Sequence, residues 1–131
     1  MTYDPALRSR EALAALLPDV GERHLLILGR TGCEPCKRLI RALASELEPD
    51  LLARVRVSIY EPGDSGTRSL HLRLGARSYP CTVLVSDDGL EGVVEGYQEQ
   101  EDRPVIEDQL AFLRTGSVQD MARSRAAALV A

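Results

Sequence analysis

Cys33 and Cys36 stand three residues apart in Gly32-Cys33-Glu34-Pro35-Cys36-Lys37, the stretch whose residue types and spacing are suited to chemistry. Residues three apart on a helix share a face, so two thiols at this spacing reach one another if a helix begins there. Such a pair can carry out thiol-disulfide exchange: a thiolate attacks a partner's disulfide, and the neighbouring thiol then resolves the mixed disulfide. A helix start activates the attacking thiol, because its unpaired backbone N–H groups and positive dipole end favour an anion. A cysteine placed there drops from a pKa of about 8.5 to as low as roughly 3.5–7.5. Cys33, at the open end, is expected to be the accessible nucleophile, and Cys36, inside the first turn, the shielded resolving thiol.

The neighbours of the pair suit a helix start. Pro35 fits the first turn, where its missing N–H would have been unpaired anyway, and it stiffens the link between the thiols. Lys37 and Arg30 add positive potential, whereas Glu34 opposes the thiolate. The sum of the three has no sign from sequence alone, and the plainer reading of each is solvated surface.

Elements on either side must position the pair. Leu25-Leu26-Ile27-Leu28 reads as a strand buried on both faces, from about His24, and Gly29-Arg30-Thr31-Gly32 as the turn that delivers it into a helix. Cys36, Leu39, Ile40, Leu43 and Leu47 follow at helical spacing, and Pro49 stops the helix near Leu47. Val55, Val57 and Ile59 alternate with Arg54, Arg56 and Ser58 as a second strand. Two strands joined by one helix imply a parallel, right-handed unit.

Before this unit, Asp4-Pro5 opens a helix with Leu7, Leu13, Leu16 and Leu17 as its apolar stripe. After it come a loop at Pro62-Gly63-Asp64-Ser65-Gly66 and a short helix from about Thr67 bearing Leu70, Leu72 and Leu74. Pro80 leads into a strand over Thr82-Val83-Leu84-Val85. Asp87-Asp88-Gly89 signals a hairpin into Val93 and Val94, and Gly96 ends it. A last helix from about Asp102 or Arg103 presents Val105, Ile106, Leu110 and Leu113, and Gly116 closes it. His24 and His71 read as ordinary surface residues. The tail from Ser117 to Ala131 has a capping pair in Ser117 and Asp120 and a thin apolar side, with no role assigned.

Composition narrows the function. The chain has 131 residues, 44% of them hydrophobic and 27% charged, with a net charge of −4. That is one globular domain of ordinary make-up, placed here at residues 1–116 with 117–131 as a tail. No basic run is present, which argues against nucleic acid. The apolar run from Ala12 to Leu17 is too short to span a membrane and lacks a signal-peptide layout, so a cytoplasmic protein without membrane contact is expected. Three cysteines, two of them in Cys-x-x-Cys, point to redox or metal chemistry and away from a secreted disulfide framework.

The order of elements resembles the thioredoxin fold over about residues 5–115. Cys33-Glu34-Pro35-Cys36-Lys37 is similar to the thioredoxin Cys-Gly-Pro-Cys-Lys and differs at Glu34. Leu74-Gly75-Ala76-Arg77-Ser78-Tyr79-Pro80 resembles the family segment that leads into its cis-proline, and Gly96 matches a glycine near its substrate groove. The resemblance implies a three-layer α/β/α sandwich on a central four-stranded mixed sheet, in which a strand-helix-strand parallel unit precedes a hairpin and extra helices lie at both ends. It implies a cis Pro80 facing the thiols, keeping metal off them and shaping the edge on which a partner docks. Tyr79 would offer backbone groups to substrate and lay its ring over the site. Two departures stand out: Gly32 takes the place of the family's tryptophan, and Ile27 that of its buried acid.

Three readings follow. The first is an oxidoreductase without cofactor that reduces protein or small-molecule disulfides, with Cys33 as nucleophile and Cys36 as resolving thiol, recharged by an electron donor that the sequence does not identify. The second is a metal or iron-sulfur binder using the pair with Cys81 or a histidine, although a second paired motif is absent. The third is an adaptor that binds partners without turnover. Cys81 itself is either a buried apolar residue or an accessory thiol beside Cys33.

Overall fold

A computed structural model describes residues 23–86, 89–97 and 103–116. The helix expected after Asp4 and Pro5, the hairpin tip at Asp87 and Asp88, and the tail from Ser117 lie outside the described residues. The elements are β1 (His24–Arg30), α1 (Glu34–Glu46), α2 (Pro49–Leu52), β2 (Val55–Tyr60), α3 (Ser65–Arg73), β3 (Cys81–Ser86), β4 (Gly89–Glu95) and α4 (Arg103–Thr115). The strands form one sheet in the order β2-β1-β3-β4. β1 and β2 run parallel, and β3 runs antiparallel to both β1 and β4. This is the mixed four-stranded sheet that the resemblance implies, and it contains the parallel pair and the hairpin that the residue patterns predict.

Strand side chains alternate between faces, and here both faces are covered. Leu25 and Ile27 of β1, with Leu84 and Val94, pack against Leu39 and Leu43 of α1 and against Ile106, Leu110 and Leu113 of α4. Leu26 and Leu28, with Cys81, Val83 and Val85, pack on the opposite face with Leu70 and Leu74 in and just after α3. β1 is buried along His24 to Gly29, as its unbroken apolar run predicts.

Several details differ from the sequence reading. Pro49 not only ends α1 but begins α2, sitting at a helical position where its missing N–H costs nothing. α3 starts at Ser65, earlier than expected, because the Asp64 carboxylate caps it by accepting the Thr67 N–H at 3.1 Å and the Thr67 hydroxyl at 2.6 Å. Val57 and Ile59 are 45% and 42% exposed because β2 is the outer strand of the sheet. Neither histidine lies at the surface: His24 is buried in β1, and His71 has no exposed area at all. His71 fills the face of α3 turned to the sheet, beside Leu70 and Leu74, while Leu72 points outward.

Candidate active site

Cys33 is the N-cap of α1, with extended backbone (φ −85°, ψ 104°), and Glu34 and Pro35 follow in the first turn. Gly32 precedes it at φ +80°, a left-handed conformation that a tryptophan at this position would strain. Cys33 and Cys36 form a disulfide, with Cα atoms 5.3 Å apart. The backbone N–H of Cys36 also points at the Cys33 sulfur, 3.3 Å away. Cys33 therefore caps the helix with its own sulfur, and one of the helix's unpaired donors is directed onto the atom that would carry the thiolate.

The expected contrast between an open Cys33 and a closed Cys36 is small in this oxidised form: the residues are 5% and 2% exposed. Capping and the disulfide draw the Cys33 sulfur inward. Cys36 lies over β1. A Cβ built on Gly29 would sit 3.4 Å from both the Cβ and the sulfur of Cys36. Gly29 is thus a strand residue that makes room for the disulfide, whereas the sequence suggests a turn glycine. Lys37 and Glu34 pair with each other at 3.4 Å with more than half of each side chain exposed, so their charges largely cancel beside the thiols and the contact itself is worth little.

Ile27 has no exposed area and packs with Leu39 and Leu43, so aliphatic carbon fills the place where the resemblance would put an acid. Among the described residues no three His, Cys, Asp or Glu side chains converge as a metal site. No helix among them is long and apolar enough to cross a membrane.

The second stretch reaches the same end of the sheet. Leu28 is opposite Cys81, so Pro80 comes abreast of the last residues of β1, just before the turn to Cys33. The Tyr79–Pro80 peptide is cis. Its loop is tied down on both sides: Gly96 N–H donates to the Pro80 carbonyl at 2.7 Å, and Arg77 N–H donates to the Glu95 carboxylate at 2.7 Å.

Tyr79 is turned away from the position expected of it. Its ring stacks on Tyr60, centroids 6.5 Å apart and planes at 6°. Its hydroxyl is held by Arg68 and His71 of α3, each at 2.8 Å. Tyr79 thus braces the loop from the α3 side of the sheet. Arg68, His71, Glu95 and Gly29 are site residues that the sequence reading missed. For His71, the signal was its place with Leu70 and Leu74 on one helical face.

Cys81 is not brought to the pair. It has no exposed area and belongs to the cluster on the α3 face, whereas Cys36 meets the opposite face at Gly29. Burial first, and the Glu95 carboxylate second, push its thiol well above the usual range.

Solved structures with this fold include thioredoxin f2 of Chlamydomonas reinhardtii, at a TM-score of 0.52 and 14% identity over 84% of this chain and 95% of that one. Thioredoxin f from spinach chloroplast matches at 0.51 and 18% identity, over 77% and 88%. A thioredoxin-fold protein from Helicobacter pylori matches at 0.51 and 18%, over 82% and 81%. No protein-family model matches the sequence, and neither does any curated protein. The chain has the thioredoxin fold.

Proposed function

We propose that this thioredoxin fold carries a thiol-disulfide oxidoreductase that reduces protein or small-molecule disulfides through Cys33 and Cys36. The observation that supports it most directly is the Cys36 N–H aimed at the Cys33 sulfur at 3.3 Å. That donor is in place before charge develops, which is how a preorganised site lowers a barrier.

In the reduced protein the Cys33 thiolate attacks one sulfur of the partner's disulfide. A mixed disulfide forms, and the partner's other sulfur leaves as a thiolate. The Cys36 thiolate then attacks the Cys33 sulfur, forming the Cys33–Cys36 disulfide and releasing the partner's second thiolate. Two electrons pass to the partner, and an external dithiol donor restores the pair. Pro35 keeps the pair in helical geometry, and Lys37 faces incoming partners with its charge tempered by Glu34. Pro80 and the backbone of Tyr79 form the edge along which a partner chain lies. The chemistry fits a compartment that keeps thiols reduced, such as the cytoplasm.

The test is covalent capture. Cys33→Ser abolishes disulfide reduction, and Cys36→Ser accumulates a mixed disulfide that runs as a larger, dithiothreitol-sensitive species on a non-reducing gel. A Cys36→Ser protein that captures no disulfide-containing partner, alongside a wild-type protein that reduces none, overturns the reading.

A further inference from the structure

We propose that His71 is a positioning residue for exchange with protein disulfides, acting through the Tyr79 hydroxyl on the loop that ends at Pro80; the inference rests on the oxidoreductase reading above. His71 touches neither cysteine. It is fully buried on the inner face of α3, and both of its ring nitrogens are engaged: Nδ1 with Tyr79 Oη at 2.8 Å and Nε2 with Ser58 Oγ of β2 at 2.9 Å.

These contacts form one directed chain. Arg68 Nη1 donates to Tyr79 Oη, and a guanidinium can only donate. The Tyr79 hydroxyl proton then has His71 Nδ1 as its acceptor, and the Nε2–H of that tautomer donates to Ser58. Every proton named has a partner when His71 is neutral, and its surroundings favour that form. Burial and the nearby Arg68 charge hold its pKa below the ordinary value, against a smaller opposing pull from Asp64.

The chain links the two halves of the site. Ser58 sits opposite Leu28 and Tyr60 opposite Arg30, so β2 lies alongside the strand that delivers Cys33. The Tyr60 carbonyl accepts the Thr31 N–H at 3.0 Å, fixing the turn two residues before Cys33, and the Tyr60 ring stacks on Tyr79. Arg68 lies 5.4 Å from the Tyr79 ring and 5.9 Å from that of Tyr60, which adds cation–π attraction to both. The Tyr79 ring is therefore held by its face, its edge and its hydroxyl, and its backbone is one bond from Pro80. Pro80 lies beside the end of β1, just before the turn to Cys33, so the loop's position enters partner binding more than the sulfur chemistry.

The experiment is steady-state reduction of insulin disulfides driven by dithiothreitol, comparing wild type with His71→Ala, His71→Asn, His71→Gln and Tyr79→Phe. Asparagine places an amide near the Nδ1 position and glutamine near Nε2. The expected result for His71→Ala and Tyr79→Phe is a KM raised about three- to tenfold with kcat changed less than twofold, the scale set by the hydrogen bond between His71 and the Tyr79 hydroxyl that both variants remove. His71→Asn restores most of the KM, His71→Gln does not, and the reduction potential of the pair stays at the wild-type value. If His71→Ala does not fold, His71→Gln set against His71→Asn carries the same comparison.

Unchanged KM in Tyr79→Phe overturns the proposal. So does a fall of kcat in step with lost thermal stability and without rescue by asparagine, since His71 would then be a core residue alone. Failure of the underlying reading looks different: the wild-type protein itself reduces no insulin.

Discussion

Gly29 lies so close beneath Cys36 that a Cβ placed on it would meet the Cys36 sulfur at 3.4 Å and the Ile59 Cδ1 at 3.1 Å. The two contacts differ in how they give way. Ile59 is 42% exposed and its terminal methyl can swing outward, whereas the Cys36 sulfur is fixed by its disulfide and by the helix. Gly29→Ala is therefore expected to fold with a change within about 1 kcal/mol, strand entropy favouring the alanine and the contact opposing it. Gly29→Val presses a branched side chain against the sulfur and is expected to cost about 1–3 kcal/mol. Urea unfolding of both oxidised variants checks the order. The same stability for Gly29→Val as for wild type would show that Cys36 is not pinned against the sheet.

Cys81 occupies the other face of the sheet from Cys36, and its thiolate is disfavoured by burial and then by Glu95. Cys81→Ala should leave exchange kinetics unchanged and cost roughly 1–2 kcal/mol of stability from lost packing. In native, fully reduced protein, iodoacetamide should label Cys33 and leave Cys81 unmodified until the chain unfolds. Mass spectrometry of the labelled peptides decides this, and prompt labelling of Cys81 would restore it as an accessory thiol.

The site was legible where chemistry is local and hidden where it depends on distant contacts. Cys33, Pro35 and Cys36 announce a helix start by residue type and spacing, and the apolar run Leu25–Leu28 announces a strand buried on both faces. His71 was only partly legible as a core residue: Leu70 and Leu74 share its helical face, but Leu72 does not. A histidine among Leu70, Leu72 and Leu74 suggests a polar interruption, and the three leucines at alternate positions do not mark one helical face. What buries it is Ser58 on β2 and Tyr79 beyond α3, partners brought in by the fold. The Tyr79 ring is hidden for the same reason: the resemblance puts it over the thiols, whereas Arg68 and His71 draw it to the α3 side of the sheet. Gly29 read as a turn residue because its role depends on Cys36 lying above it.

Asp64 holds the first turn of α3, the helix that carries Arg68 and His71. Its carboxylate accepts from both the N–H and the hydroxyl of Thr67, and those bonds keep its pKa below the ordinary carboxylate value. Asp64→Ala should lower the thermal stability of the protein, as the loss of an N-cap does, and Asp64→Asn should lower it less, because the amide oxygen still accepts. Amide hydrogen exchange gives a local test. Faster exchange at Thr67 and Arg68 in Asp64→Ala, with α1 unaffected, is the expected pattern, whereas uniform loss across the fold would indicate a global role.

The His71 environment also sets a pH dependence. Its pKa is lowered in the folded protein by burial and then by Arg68, with Asp64 pulling the other way, while in the unfolded chain it returns to the ordinary value near 6.5. Between those two values the unfolded chain binds the proton and the folded chain does not, so stability rises with pH there. The contribution is fully present above about 6.5 and is lost as pH falls toward the folded value. Thermal melts between pH 7.5 and 5 should therefore slope downward below about 6.5. His71→Gln, which keeps a partner for Ser58 and cannot take up a proton, should flatten that slope while leaving the steeper carboxylate-driven loss near pH 4 that Asp64 and Glu48, both with lowered pKa, contribute. An equal slope in wild type and His71→Gln would mean that His71 takes up its proton as readily in the folded protein as in the unfolded chain, and that the neutral relay from Arg68 through Tyr79 to Ser58 is not the form that holds the loop.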